Sequence, residues 1–142
     1  MTPPLLPART VGSVMDYPIR LLLVDDEARV RRGLRMCIDG EPDFEVVGEA
    51  EEGGAAIALA SALHPDIVVL DLRMRGMGGM EAAGELASAR PATCVVILSL
   101  QDDVKTRAEA MASGAAAFVG KQEGIARLFE VIRDVAGAAR AS

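Results

Sequence analysis

Five short aliphatic runs, each followed by a stretch of helical periodicity, constrain this chain more than any other feature. The runs are Ile19–Val24, Phe44–Gly48, Ile67–Leu70, Cys94–Leu98 and Ala116–Val119. Most are apolar at successive positions, as expected of strands buried on both faces. After the first three runs, apolar residues return at helical spacing: Val30, Leu34, Cys37 and Ile38, then Ala56, Ile57, Ala60 and Leu63, then Met80, Ala83, Leu86 and Ala87. A short fourth helix is expected from a cap at Asp102 or Asp103 to about Ala112, with Gly114 as its stop. The last helix carries Ile125, Leu128, Phe129, Ile132 and Ala136. Gly40 and Pro65 end the first two helices. Right-handed crossovers then wind five parallel strands into an α/β, (βα)5 doubly wound sheet of order 2-1-3-4-5.

That pattern uses residues 19–137 and leaves no room for a second domain. Residues 1–18, with Pro3, Pro4, Pro7 and Gly12, read as a disordered leader, and 138–142 as a tail. Met15 is a candidate alternative start. The net charge of −6 argues against direct nucleic-acid binding by this segment, since phosphate binding needs clustered cations. Arg29, Arg31, Arg32 and Arg35 are expected to form a solvated helix face. Cys37 and Cys94 lack metal or redox spacing and are expected to be small buried residues. No apolar stretch is long enough for a membrane span and no signal-peptide core precedes the first strand, so a cytoplasmic location is expected.

In an open parallel sheet, ligands bind at the carboxyl ends of the strands, near the point where the winding reverses. At those ends this chain has Asp25-Asp26, Asp71 and Ser99, with Lys121 just after the fifth run. Three carboxylates crowded together repel and call for a cation. Hard oxygen donors suit Mg²⁺. Asp71 can then act as a nucleophile that accepts a phosphoryl group as an acyl phosphate. Lys121 supplies positive charge and Ser99 a neutral donor.

The blocks LLLVDDEARVRRGL, DIVVLDLRMRGMGGMEA, VVILS and GAAAFVGK together resemble the receiver domain of two-component response regulators. The turn MRGMGGMEA is most similar to receivers of the NarL/FixJ type, which carry a LuxR-type output domain. The resemblance implies a flavodoxin-like fold and a signalling switch rather than a conventional enzyme. It implies Asp71 as phosphoacceptor, with Asp25, Asp26, Asp71 and the Arg73 backbone carbonyl around the metal. Ser99 and Lys121 would contact the phosphoryl group. Ser99 and Phe118 would form the conformational switch, and Arg73, Leu100 and Gln101 would tune its rate. The implied partners are a sensor histidine kinase or a phosphotransfer protein, with homodimerisation through the face of the fourth helix, fifth strand and fifth helix.

Several residues invite other readings. Asp25 and Asp26 could simply cap a helix, Ser99 could satisfy a strand end, and Phe118 could be core. Arg75 stands where the family commonly has proline, and Leu100 where a small residue follows the switch hydroxyl. Leu100 is expected to narrow the path to Asp71. His64 lacks a second histidine and is given no functional role. Gly76, Gly78 and Gly79 read as a flexible turn, and Met74, Met77 and Met80 as packing filler. Two other classes share parts of the pattern: a receiver-like binding platform that does not cycle, and a phosphohydrolase with an aspartyl phosphate. The second needs an acid two residues after the nucleophile, where this chain has Arg73.

Overall fold

The computed structural model describes residues 17–74, 76–90 and 92–141. Leader residues 1–16 and Arg75 lie outside the described residues. The elements run β1 (Ile19–Val24), α1 (Ala28–Asp39), β2 (Phe44–Ala50), α2 (Gly53–Leu63), β3 (Ile67–Leu70), α3 (Gly79–Ala89), β4 (Cys94–Ser99) and α4 (Val104–Ser113). They end with β5 (Ala117–Gly120), a 3-10 turn (Lys121–Glu123) and α5 (Ile125–Ala141). Every strand pairing is parallel, in the order β2-β1-β3-β4-β5, which is the flavodoxin-like arrangement. Among the described residues, no helix is long and apolar enough to cross a membrane.

Alternate residues of a strand point to opposite faces, so one apolar strand feeds two cores. Leu21 and Leu23 join Ile38, Val96, Val119, Leu128, Phe129 and Ile132 on the side of α1 and α5. Leu22 and Val24 join Ala56, Ala60, Ala82, Ala83, Leu86 and Ala110 beneath α2, α3 and α4. The second face is built largely from alanine, and such short side chains let helices lie close on the sheet. Glu52 caps α2 through the amides of Gly54 and Ala55. Asp103 caps α4 through the Thr106 amide at 2.7 Å.

The structure moves some expected boundaries. β2 continues two residues past Gly48, because the β1–β2 register shifts at Leu21/Leu22 and the strand then runs on until Ala50 pairs with Val24. Gly48 lies within this strand, and its missing Cβ leaves room for the side chains of Leu22 and Leu63. β5 starts and ends one residue later than expected, and α5 runs on to Ala141, so 138–141 are helix rather than tail. Cys37 is exposed, not buried, and Ile125 is 37% exposed. Both border an open groove of about 380 Å³ between α1 and α5, so neither has a partner surface to close over it. The arginines of α1 do not form one solvated face either. Arg31 turns inward, pairs with Glu49 at 2.9 Å and donates to the Asp25 carbonyl at 2.5 Å.

Candidate functional site

β1 and β3 are neighbours while β2 lies outside β1, so the winding reverses between β1 and β3. Val24 pairs with Leu70, which brings the residues that follow, Asp25 and Asp71, side by side at the end of the sheet. Their backbones continue the ladder: the Asp71 amide donates to the Val24 carbonyl at 3.0 Å and the Asp25 amide to the Ala50 carbonyl at 3.1 Å. Both side chains are buried, at 3% and 8% exposure. Asp26 is half-buried. One carboxylate oxygen from each of the three lies within 4.8 Å of the others.

Lys121 follows β5 and reaches across to this cluster. Its Nζ is 3.3 Å from Asp25 Oδ2 and 3.7 Å from Asp71 Oδ2. Asp25 Oδ1 accepts the Glu27 amide at 2.9 Å, and Asp71 Oδ1 accepts the Arg73 amide at 3.3 Å. Burial pushes the Asp71 carboxyl above its ordinary value; the Lys121 ammonium and the Arg73 amide oppose that, and Asp25 adds to it. One ammonium faces three carboxylates, an imbalance that a hard divalent cation would correct. The donor set therefore fits Mg²⁺.

Asp26, Glu27, Asp71, Arg73, Leu100 and Lys121 line a cleft of about 190 Å³ over the cluster. Larger concavities lie elsewhere, about 560 Å³ at α3 and about 380 Å³ between α1 and α5. The first carries only Glu81 and Glu85, both exposed on one helix, and the second no carboxylate, so chemistry rather than size identifies the site. Leu100 does stand in the cleft wall, yet it is 66% exposed and so does not seal the path to Asp71.

Ser99 ends β4 opposite Gly120, and Phe118 pairs with Ile97 on the same two strands. The Ser99 side chain is fully buried, and its Oγ accepts the Gln101 amide at 3.1 Å. Ser99, Gln101 and Phe118 are not among the residues that line the cleft, although Leu100, between the first two in sequence, is. Phe118 is a core residue, 8% exposed, under the guanidinium of Arg107 at 4.7 Å. Met74, Met77 and Met80 pack against the alanine-rich core, as expected of filler. His64 holds the left-handed cap of α2 and touches Arg90 through Nδ1.

Three features were not legible as site residues. Glu27 lines the cleft, and its only sequence signal was continuity with Asp25-Asp26. Arg31 braces the Asp25 carbonyl from α1. Gly79 belongs to more than a flexible turn: a Cβ there would sit 2.5 Å from the Asp71 carbonyl oxygen and 2.6 Å from Leu72 Cα. α3 thus starts directly against the backbone that presents Asp71.

The family model of the response regulator receiver domain matches residues 21–133. The transcriptional regulatory protein LiaR of Bacillus subtilis is 36% identical over 116 residues, covering 81% of this chain and 54% of its own length. The chain spans about half the length of the curated transcriptional regulatory proteins it matches. The signal receiver domain of the putative response regulator NarL from Mycobacterium tuberculosis superposes with a TM-score of 0.77 at 31% identity, covering 89% of this chain and 99% of that one. A LuxR-family two-component response regulator from Aurantimonas gives a TM-score of 0.82 at 33% identity, covering 85% and 86%. Family model, relatives and topology agree, and the chain belongs to the response regulator receiver domains of two-component signalling.

Proposed function

We propose that residues 19–137 form a phosphorylation-driven switch in which Asp71 accepts a phosphoryl group from a phosphohistidine on a sensor histidine kinase or phosphotransfer protein. The observation that carries this reading is Lys121 Nζ between the buried carboxylates of Asp25 and Asp71, with Asp71 and Lys121 themselves lining a cleft. A buried carboxylate with a cation beside it and an approach from solvent is suited to attack phosphorus. The Asp71 O–P bond forms as the donor's N–P bond breaks, and that electron pair stays on the imidazole nitrogen. Asp25, Asp26, Asp71 and the Arg73 carbonyl would hold Mg²⁺, which when bound supplies charge neutralisation for the transferring group. Lys121 orients Asp71 beforehand and then faces the added negative charge. Ser99 would donate its O–H to that group, a hydrogen left free by its acceptor bond from the Gln101 amide, while Arg73, Leu100 and Gln101 would govern how water reaches it.

Phosphorylation would bias two arrangements of Ser99 and Phe118 and so alter the α4–β5–α5 face, which would dimerise or bind a partner. The domain would act in the cytoplasm, without direct contact to nucleic acid or membrane. Beryllofluoride with Mg²⁺ mimics the phosphorylated carboxylate. Adding both should shift the backbone amide resonances of Asp71, Ser99 and Lys121 in the unsubstituted chain and leave those of Asp71→Asn in place. Equal shifts in both proteins would reject Asp71 as the acceptor.

A further inference from the structure

Outside the cleft, a dense polar network ties α4 to β5 and the turn that follows. Arg107, in the first turn of α4, lies with its guanidinium 4.7 Å from the centre of the Phe118 ring. Nε and Nη2 grip both oxygens of Asp102, the second at 3.1 Å. Nη2 also reaches Glu123 at 2.7 Å, and Nη1 donates to the Phe118 carbonyl at 3.4 Å. Glu123 Oε2 in turn accepts the Gly120 amide at 2.7 Å, and Gln122 donates to Asp102 Oδ2 at 2.6 Å. The Asp102 carboxylate and the Gln122 side-chain amide lie over Gly120, so a Cβ there would displace them.

The placement of these partners matters more than their number. Asp102 is three residues after Ser99, and Glu123 is two residues after Lys121. Phe118 is the ring between them. One guanidinium therefore holds both flanks of the site and the aromatic residue, so neither flank can shift far without breaking part of the set. A surface ion pair alone is worth little. A bidentate fork combined with a ring contact is worth more, and lysine cannot reproduce it.

We propose that Arg107 is a clamp that stabilises the unphosphorylated arrangement of Phe118, the one in which the Ser99 hydroxyl accepts the Gln101 amide, and thereby sets how much phosphoryl input the switch needs. The proposal rests on the phosphoacceptor reading of Asp71. An input shifts a two-state equilibrium only by its differential affinity, so contacts made only in the state that the ligand disfavours raise the concentration needed for half conversion. Arg107 acts through Phe118 and is a positioning residue.

The test is a titration with beryllofluoride in saturating Mg²⁺, followed by the amide resonances of Val119 and Gly120. Arg107→Met should lower the midpoint about three- to tenfold, with Arg107→Lys in between. In a Phe118→Leu background, Arg107→Met should shift the midpoint by a smaller factor, because one jaw of the clamp is gone. Asp102→Asn keeps the shape at that position, should shift the midpoint the same way, and serves if methionine at 107 prevents folding. A merely structural arginine would lower the melting temperature and leave the midpoint alone. Midpoints that stay equal or rise overturn the clamp while the Asp71 reading stands. No response from the unsubstituted chain overturns the Asp71 reading and the clamp with it.

Discussion

Asp71 and Asp25 are the residues on which the site depends, because folding buries both where strands β1 and β3 meet. Their convergence was legible: three carboxylates stand at neighbouring strand ends, and Lys121 answers their charge. What could not be read were residues whose meaning comes from a distant partner. Arg107 matters because Asp102, Phe118 and Glu123 converge on it, and Arg31 because it supports the Asp25 carbonyl. Cys37 and Ile125 failed for the same reason, since periodicity marks a face without saying whether a neighbour covers it. Leu100 lines the cleft over Asp71, but its exposure limits what it can do. Leu100→Ala should shorten the lifetime of phospho-Asp71 by only about threefold, or ~0.6 kcal/mol of barrier, measured by loss of label after donor removal.

At the scale of elements, strands and helices were legible because apolar runs and helical stripes are local signals. Their ends were less so, because register decides them. β2 extends to Ala50 to pair with Val24, which no local pattern announces. The start of α3 is the element boundary that matters most to the site. Gly79 brings that helix against the Asp71 and Leu72 backbone, where an added Cβ meets main-chain atoms that cannot turn aside. Gly79→Ala should therefore cost about 1–3 kcal/mol in urea unfolding, the usual range for overpacking. Gly78→Ala should cost less than Gly79→Ala, since nothing lies within 4 Å of a Cβ there.

For the whole molecule, the order 2-1-3-4-5 followed from five βα units, and it is what gathers Asp25, Asp71 and Lys121 from across the sequence. At the opposite edge, Arg133 of α5 pairs with Asp43 at 2.8 Å and covers the Phe44 ring at 4.7 Å, tying the start of the sheet to its last helix. The Arg133 hydrogen bond holds the Asp43 carboxyl below its ordinary value of 3.8. A lowered carboxyl stabilises the fold above its unfolded value and loses that contribution as pH falls through the folded one. Asp43→Asn should thus be less stable than the unsubstituted chain at neutral pH, and denaturant titrations should show the gap closing below pH 3.8. The central claim concerns one covalent bond. After incubation with a small acyl phosphate and Mg²⁺, peptide mass spectrometry should find a single hydroxylamine-labile phosphoryl group on Asp71 and none on Asp71→Asn. A stable modification elsewhere, or equal labelling of Asp71→Asn, would contradict the account.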